Sequence, residues 1–140
     1  MNELINFSKA LNIKTIAEEY KKLPQVECPV KHHFADGQYI RETTMQAGTF
    51  AIGKKHRFST VNIILKGKLS VYNGENSPIL HIEAPAIWTS KAGVQKMAYF
   101  HEDTIWLNAH PTDSTDLEEI ESKFTISDEL ESLKENKWHG

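Results

Sequence analysis

Short runs rich in β-branched, aromatic and aliphatic residues fill the middle of the chain, and breakers separate the runs. This pattern predicts strands over Tyr39–Gln46, Thr49–Ile52, Val61–Leu65, Lys68–Tyr72, Ile79–Ile82, Ile87–Thr89, Val94–Phe100 and Thr104–Ala109. Ala35-Asp36-Gly37, Gly48, Gly67, Asn73-Gly74, Pro85, Gly93 and Glu102-Asp103 supply the turn chemistry. No helical stretch falls between these runs, which argues against a parallel α/β sheet. A sandwich or barrel over residues 31–110 is the expectation.

The two ends read differently. In residues 1–30, Ile13, Ile16, Ala17 and Tyr20 share a helical face before Pro24 and Pro29. That predicts an N-terminal arm with a short helix. In residues 111–140, Thr115-Asp-Leu-Glu118 has a capping-box pattern, with Leu117, Ile120 and Phe124 on one face. Ser127, Leu130 and Leu133 suggest a second helical turn. The acidic residues between them read as a solvated face. Together these segments suggest one barrel with helical ends.

At 140 residues the chain suits one domain. A net charge of -3 gives no general pull toward nucleic acid or an anionic membrane. Cys28 is the only cysteine, so no internal disulfide can form, and a cytoplasmic setting is expected. Met1-Asn-Glu-Leu-Ile-Asn6 is not a secretory signal pattern, and no run nears the about 20 apolar residues of a membrane span.

The richest segment runs from Gly48 to Gly67. Gly48 is followed by five residues and Lys54-Lys55-His56, then three residues and Thr60, then six residues and Gly67. This spacing resembles the first motif of the cupin superfamily, with Lys54 and Thr60 in place of a histidine and a glutamate. Lys91-Ala92-Gly93, Lys96 and Phe100 resemble a second motif in which only the glycine is kept. The resemblance implies an all-β double-stranded β-helix, a cupin or jelly-roll barrel. Val30-Lys-His-His-Phe34, Gly37 to Glu42, Ala84-Pro85 through Gly93, Glu102 to Trp106, His110-Pro-Thr and the acidic Asp116 to Glu121 extend it. With these, the chain is similar to small single-domain cupins of bacteriophages and prophages, over about residues 30–121. That grouping implies a homodimer and a host bacterial cytoplasm, but no particular reaction.

Cupins often hold Fe, Mn, Zn or Ni, which need several converging His and carboxylate donors. Here His56 remains at the motif position, His110 is a second candidate, and His33 and Glu42 are more remote ones. Two motif ligands have become lysine, whose ammonium repels a cation and lacks a lone pair. No cofactor is therefore expected, and a divalent metal on His56 and His110 is the minority reading. Lys54, His56 and Lys96 instead predict an anion site in the cup, with Arg41 as a clamp if it faces inward. Asn62, Tyr99 and His110 complete the candidate ligand-binding set.

Bland readings stand beside these. Basic runs such as Lys54 to Arg57 are commonly solvated, and a buried Arg41 or Glu42 can be a structural ion pair. His32 and His33 point to opposite strand faces, so at most one can enter a given site. Trp88 and Trp106 suit barrel core or an interface, and Cys28 reads as inert. The primary expectation is small-molecule binding without a full metal site, and no nucleic-acid or membrane partner. Two other classes remain: an isomerase, epimerase or lyase using His56 with metal, His110, or Glu42 and Tyr99; and a structural or partner-binding phage protein.

Overall fold

A computed structural model describes residues 28–73 and 77–126, together with 18, 19 and 22. The expected N-terminal helix lies outside these residues except for Glu18 and Glu19, which are helical. The second C-terminal turn from Ser127 lies outside them altogether.

The described chain is antiparallel β-structure with one helix near its C-terminal end. The strands are β1 (Val30–Ala35), β2 (Gln38–Met45), β3 (Phe50–Ile52), β4 (Lys55–His56), β5 (Thr60–Lys66) and β6 (Lys68–Tyr72). They continue with β7 (Leu80–Glu83), β8 (Ala86–Ser90), β9 (Met97–Phe100) and β10 (Thr104–His110). Helix α1 (Leu117–Phe124) and the short β11 (Thr125–Ile126) follow. The larger sheet has the order β1-β2-β10-β5-β8. The smaller has the order β3-β9-β6-β7, and β11 pairs separately with β4. Among the described residues, no helix is long and apolar enough to cross a membrane.

Most predicted strands are present with shifted ends. Val94–Phe100 shortens to β9, because Gly93 turns at φ +84° and donates its N–H to His56 O at 2.7 Å. Three strands escaped the periodicity. β1 is exposed at five of its six positions and groups Lys31, His32 and His33 between apolar ends, so it shows no alternation. The Asp36-Gly37 loop nevertheless folds it onto β2, with Gly37 at φ +73°. β4 and β11 have two residues each, too few to display a period.

The core lies between the sheets. Ile64 and Trp106 from the larger sheet meet Leu69, Val71, Ala98 and Phe100 from the smaller. These alternate with residues on the outer faces, as a pleated strand requires. Tyr39, Ile120 and Phe124 form a second buried cluster, which seats α1 against the end of β2. The helix cap falls one residue later than expected. Asp116, not Thr115, accepts the N–H groups of Glu118 and Glu119. Its short carboxylate satisfies two orphan amides and also suits the positive end of the helix. Leu117 remains largely exposed, while Ile120 and Phe124 turn inward.

Candidate functional site

Cross-strand register decides which side chains meet inside the barrel. On the larger sheet, His110 is opposite Tyr39, Asn108 is opposite Arg41 and Asn62, and Trp106 is opposite Thr43 and Ile64. Asn62 is in turn opposite Trp88. The inner face therefore changes character along the strands. Trp106 and Ile64 belong to the apolar core, Asn62 and Asn108 form a middle layer, and Arg41 and His110 lie toward the end of β10.

The middle layer is a hydrogen-bonded knot. Asn62, fully buried, accepts from Trp106 Nε1 at 3.1 Å and from Asn108 Nδ2 at 2.8 Å. Its own amide donates to Thr60 O at 3.1 Å and Ser90 Oγ at 3.2 Å. Each buried polar atom left without these bonds would carry a desolvation cost of about 1–3 kcal/mol. Trp88 packs its ring 5.6 Å from that of Trp106, yet its buried indole N–H has no partner among the described residues.

Above this knot lies a basic end. His56 meets His110 edge to face, with ring centroids 5.9 Å apart. Burial lowers the pKa of His56 to about 4, and the charges of Lys96, His110 and Arg41 push in the same direction. His110 is likewise lowered to about 4 by burial and by Arg41. Both rings are therefore neutral near pH 7. Lys96 is 6% exposed, and burial lowers its pKa to about 8. Its ammonium has no ion pair or hydrogen bond among the described residues. Arg41 shares the inner face with Tyr39 and Thr43 and donates to Thr43 Oγ1 at 3.2 Å. His56 Nδ1 is buried without a partner among the described residues.

Four candidate residues are placed elsewhere than expected. Tyr99 does not face the cup. It lies opposite Phe50 and Ser70, between the core residues Ala98 and Phe100, so alternation sends its ring to the outer face of the smaller sheet. Glu42 and His33 are also on an outer face, joined at 2.9 Å. A His56–Glu42–Tyr99 acid–base set therefore cannot assemble. Lys54 is tied to Glu121 of α1 at 2.6 Å, so it is not an unengaged cation of the cup. As expected from alternation, His32 parts company with His33. It shares a 2.7 Å hydrogen bond with the Tyr39 hydroxyl.

The C-terminal segment contributes more than the sequence suggested. Phe124 lies 4.7 Å from His110, centroid to centroid, and 5.9 Å from Phe58. Thr125 pairs with His56, and Arg57 N–H donates to Phe124 O at 2.8 Å. Asn108 was also passed over, although its i−2 position from His110 places it on the same face.

This donor set fits a divalent cation poorly. Only two imidazoles converge, Lys96 and Arg41 add positive charge, and no group of three His, Cys, Asp or Glu side chains able to hold a metal occurs among the described residues. What the arrangement offers is a mixture of cationic groups and neutral imidazoles, suited to an anion.

No family and no curated protein matches the sequence. Solved structures do match. Ectoine synthase from P. lautus aligns with TM-score 0.57 and 10% identity, covering 76% of this chain and 83% of its own. An uncharacterised Klebsiella pneumoniae protein with a double-stranded β-helix domain gives TM-score 0.53 and 16% identity over 71% and 89% of the two chains. KdgF from Halomonas sp. gives TM-score 0.53 and 13% identity over 67% and 88%. Identities this low speak to architecture alone. By fold, the chain is a double-stranded β-helix of the cupin type.

Proposed function

We propose that this protein binds a small anionic molecule, such as a sugar phosphate, nucleotide or carboxylate, between Lys96, Arg41, His56 and His110. One observation carries the reading: Lys96 is 6% exposed and has no counter-charge among the described residues. A buried cation without a partner is costly, and an anionic ligand would offset that cost. Arg41 supplies a planar fork suited to carboxylate or phosphate, and the neutral imidazoles supply further donors. Asn62 and Asn108 form the floor, with Trp88 beyond them. Calorimetry with inorganic phosphate, glucose 6-phosphate, AMP and citrate tests this, with Lys96→Ala as control. Failure of all four probes to bind, or binding unaffected by Lys96→Ala, overturns it.

Catalysis by His56 and His110 is the second reading, favoured by the unpartnered Nδ1 of His56. A structural neighbour named as a synthase keeps that reading open.

The reading includes a homodimer formed by strand addition. Among the described residues β1 is an edge of the larger sheet, and five of its six residues are exposed. Light scattering across a concentration series tests this, and a persistent monomer overturns it. It also retains the grouping with small phage and prophage cupins, supported by the segments from Val30 to Glu121, and with it a host cytoplasm.

A further inference from the structure

A second histidine cluster lies outside the cup, on the other side of the smaller sheet. Ser70 alternates with Leu69 and Val71, both fully buried in the core, so its hydroxyl points away from them. His81 is its cross-strand partner on β7, and its Nδ1 lies 2.9 Å from Ser70 Oγ. His101 follows β9, and its Nε2 lies 2.7 Å from the same oxygen. Two imidazole nitrogens from distant parts of the chain thus converge on one atom.

We propose that His81 and His101 form a binding site for a divalent transition-metal ion of the Zn2+ class, beside Ser70 on the outer face of the smaller sheet. A serine hydroxyl carries one proton, so only one imidazole can accept from it, and the other must present an N–H. Rotating either ring slightly off the hydroxyl, with a tautomer change that moves that proton to the ring's other nitrogen, directs two lone pairs at one point. Zn–N bonds of about 2.0–2.1 Å would then place the nitrogens about 3.4 Å apart in tetrahedral geometry.

The backbone is already fixed for such a site. β6–β7 pairing holds His81, and His101 N–H donates to Lys68 O at 2.8 Å. Tyr99 packs edge-on against His101, with centroids 5.1 Å apart, and restricts its ring. Both histidines are exposed, so water can fill the remaining coordination positions. No third acidic, cysteine or histidine donor joins them among the described residues. Such a two-nitrogen site favours the later, imidazole-preferring metals over Mg2+ or Ca2+. This site is independent of anion binding in the cup.

The test is Zn2+ titration of the untagged full chain against a chromophoric chelator, with 15N NMR of the imidazoles. One Zn2+ per chain is expected, with shifts at His81 Nδ1 and His101 Nε2. His81→Gln and His101→Gln, which keep a polar side chain near Ser70, should each weaken binding at least tenfold. His56→Ala should change it less than twofold. No binding at millimolar Zn2+, binding indifferent to both glutamine variants, or binding lost only in His56→Ala would overturn the proposal. Because both rings are exposed, the glutamine variants are expected to melt within a few degrees of wild type.

Discussion

Phe124 sits against the ring of His110, with centroids 4.7 Å apart and planes tilted by 39°, so a residue of α1 walls the basic end of the barrel. Phe124 is 5% exposed and also joins Tyr39 and Ile120. Phe124→Ala should therefore cost about 3–5 kcal/mol of stability. It should also admit water to His110 and return its pKa from about 4 toward the ordinary 6.5. Denaturant melts and an NMR pH titration measure the two effects. An unchanged titration would mean that burial by Phe124 does not hold the ring neutral.

Lys96 should trade stability against binding. Lys96→Met keeps the stem's apolar contacts and removes a buried charge, so the ligand-free protein should gain about 1–2 kcal/mol. Affinity for an anionic probe should fall at least tenfold. In the wild type, the same affinity should decline as pH rises through about 8, where the ammonium discharges. Calorimetry at pH 7 and 9 checks the pH effect. A binding constant that does not change would remove Lys96 from the site.

Acid sensitivity has a defined window. The folded pKa values of His56 and His110 lie near 4, below the ordinary 6.5. Above about pH 6.5 both states hold neutral rings, and the histidine contribution is fully present. As pH falls below 6.5 the unfolded chain takes up protons first, and stability drops by up to about 1.4 kcal/mol per pH unit for each ring. Below about 4 the folded rings also protonate and this loss levels off. Urea melts at pH 7, 5.5 and 4.5 measure the slope. His110→Phe should roughly halve the histidine part, and an equal slope in that variant would refute the assignment.

Gly67 tests backbone geometry rather than chemistry. It turns between β5 and β6 at φ +107°. A Cβ here would lie 2.6 Å from Asp103 O and closer still to Thr104 Oγ1. Gly67→Ala should cost more than about 2 kcal/mol, because it combines strain with overlap. Thermal melting gives the answer, and a loss under about 0.5 kcal/mol would show that the β10 start can yield.

The sequence made the barrel readable where alternation was strong. Leu69 and Val71 alternate with Lys68 and Ser70, and the spacing from Gly48 to Gly67 reinforced the architecture. β1 was hidden because its residues are polar on both faces, and β4 and β11 because two residues cannot show a period. Tyr99 was misplaced for a different reason. Once Gly93 ends its turn, parity counted from Lys96 puts Ala98 and Phe100 inward and Tyr99 outward. Lys54 could not be assigned from its motif position, since its partner Glu121 is 67 residues away on a helix read only as solvated. Long-range ion pairs leave no local pattern.

The pairing of Thr125 with His56 also has a consequence for the order of synthesis. Translation delivers His56 well before the strand that aligns beside it. During that interval the basic end of a nascent barrel lacks Phe124 and the β11 edge, and the two histidines face water. The neutral, dehydrated form of the site thus requires the chain through Ile126 to be in place.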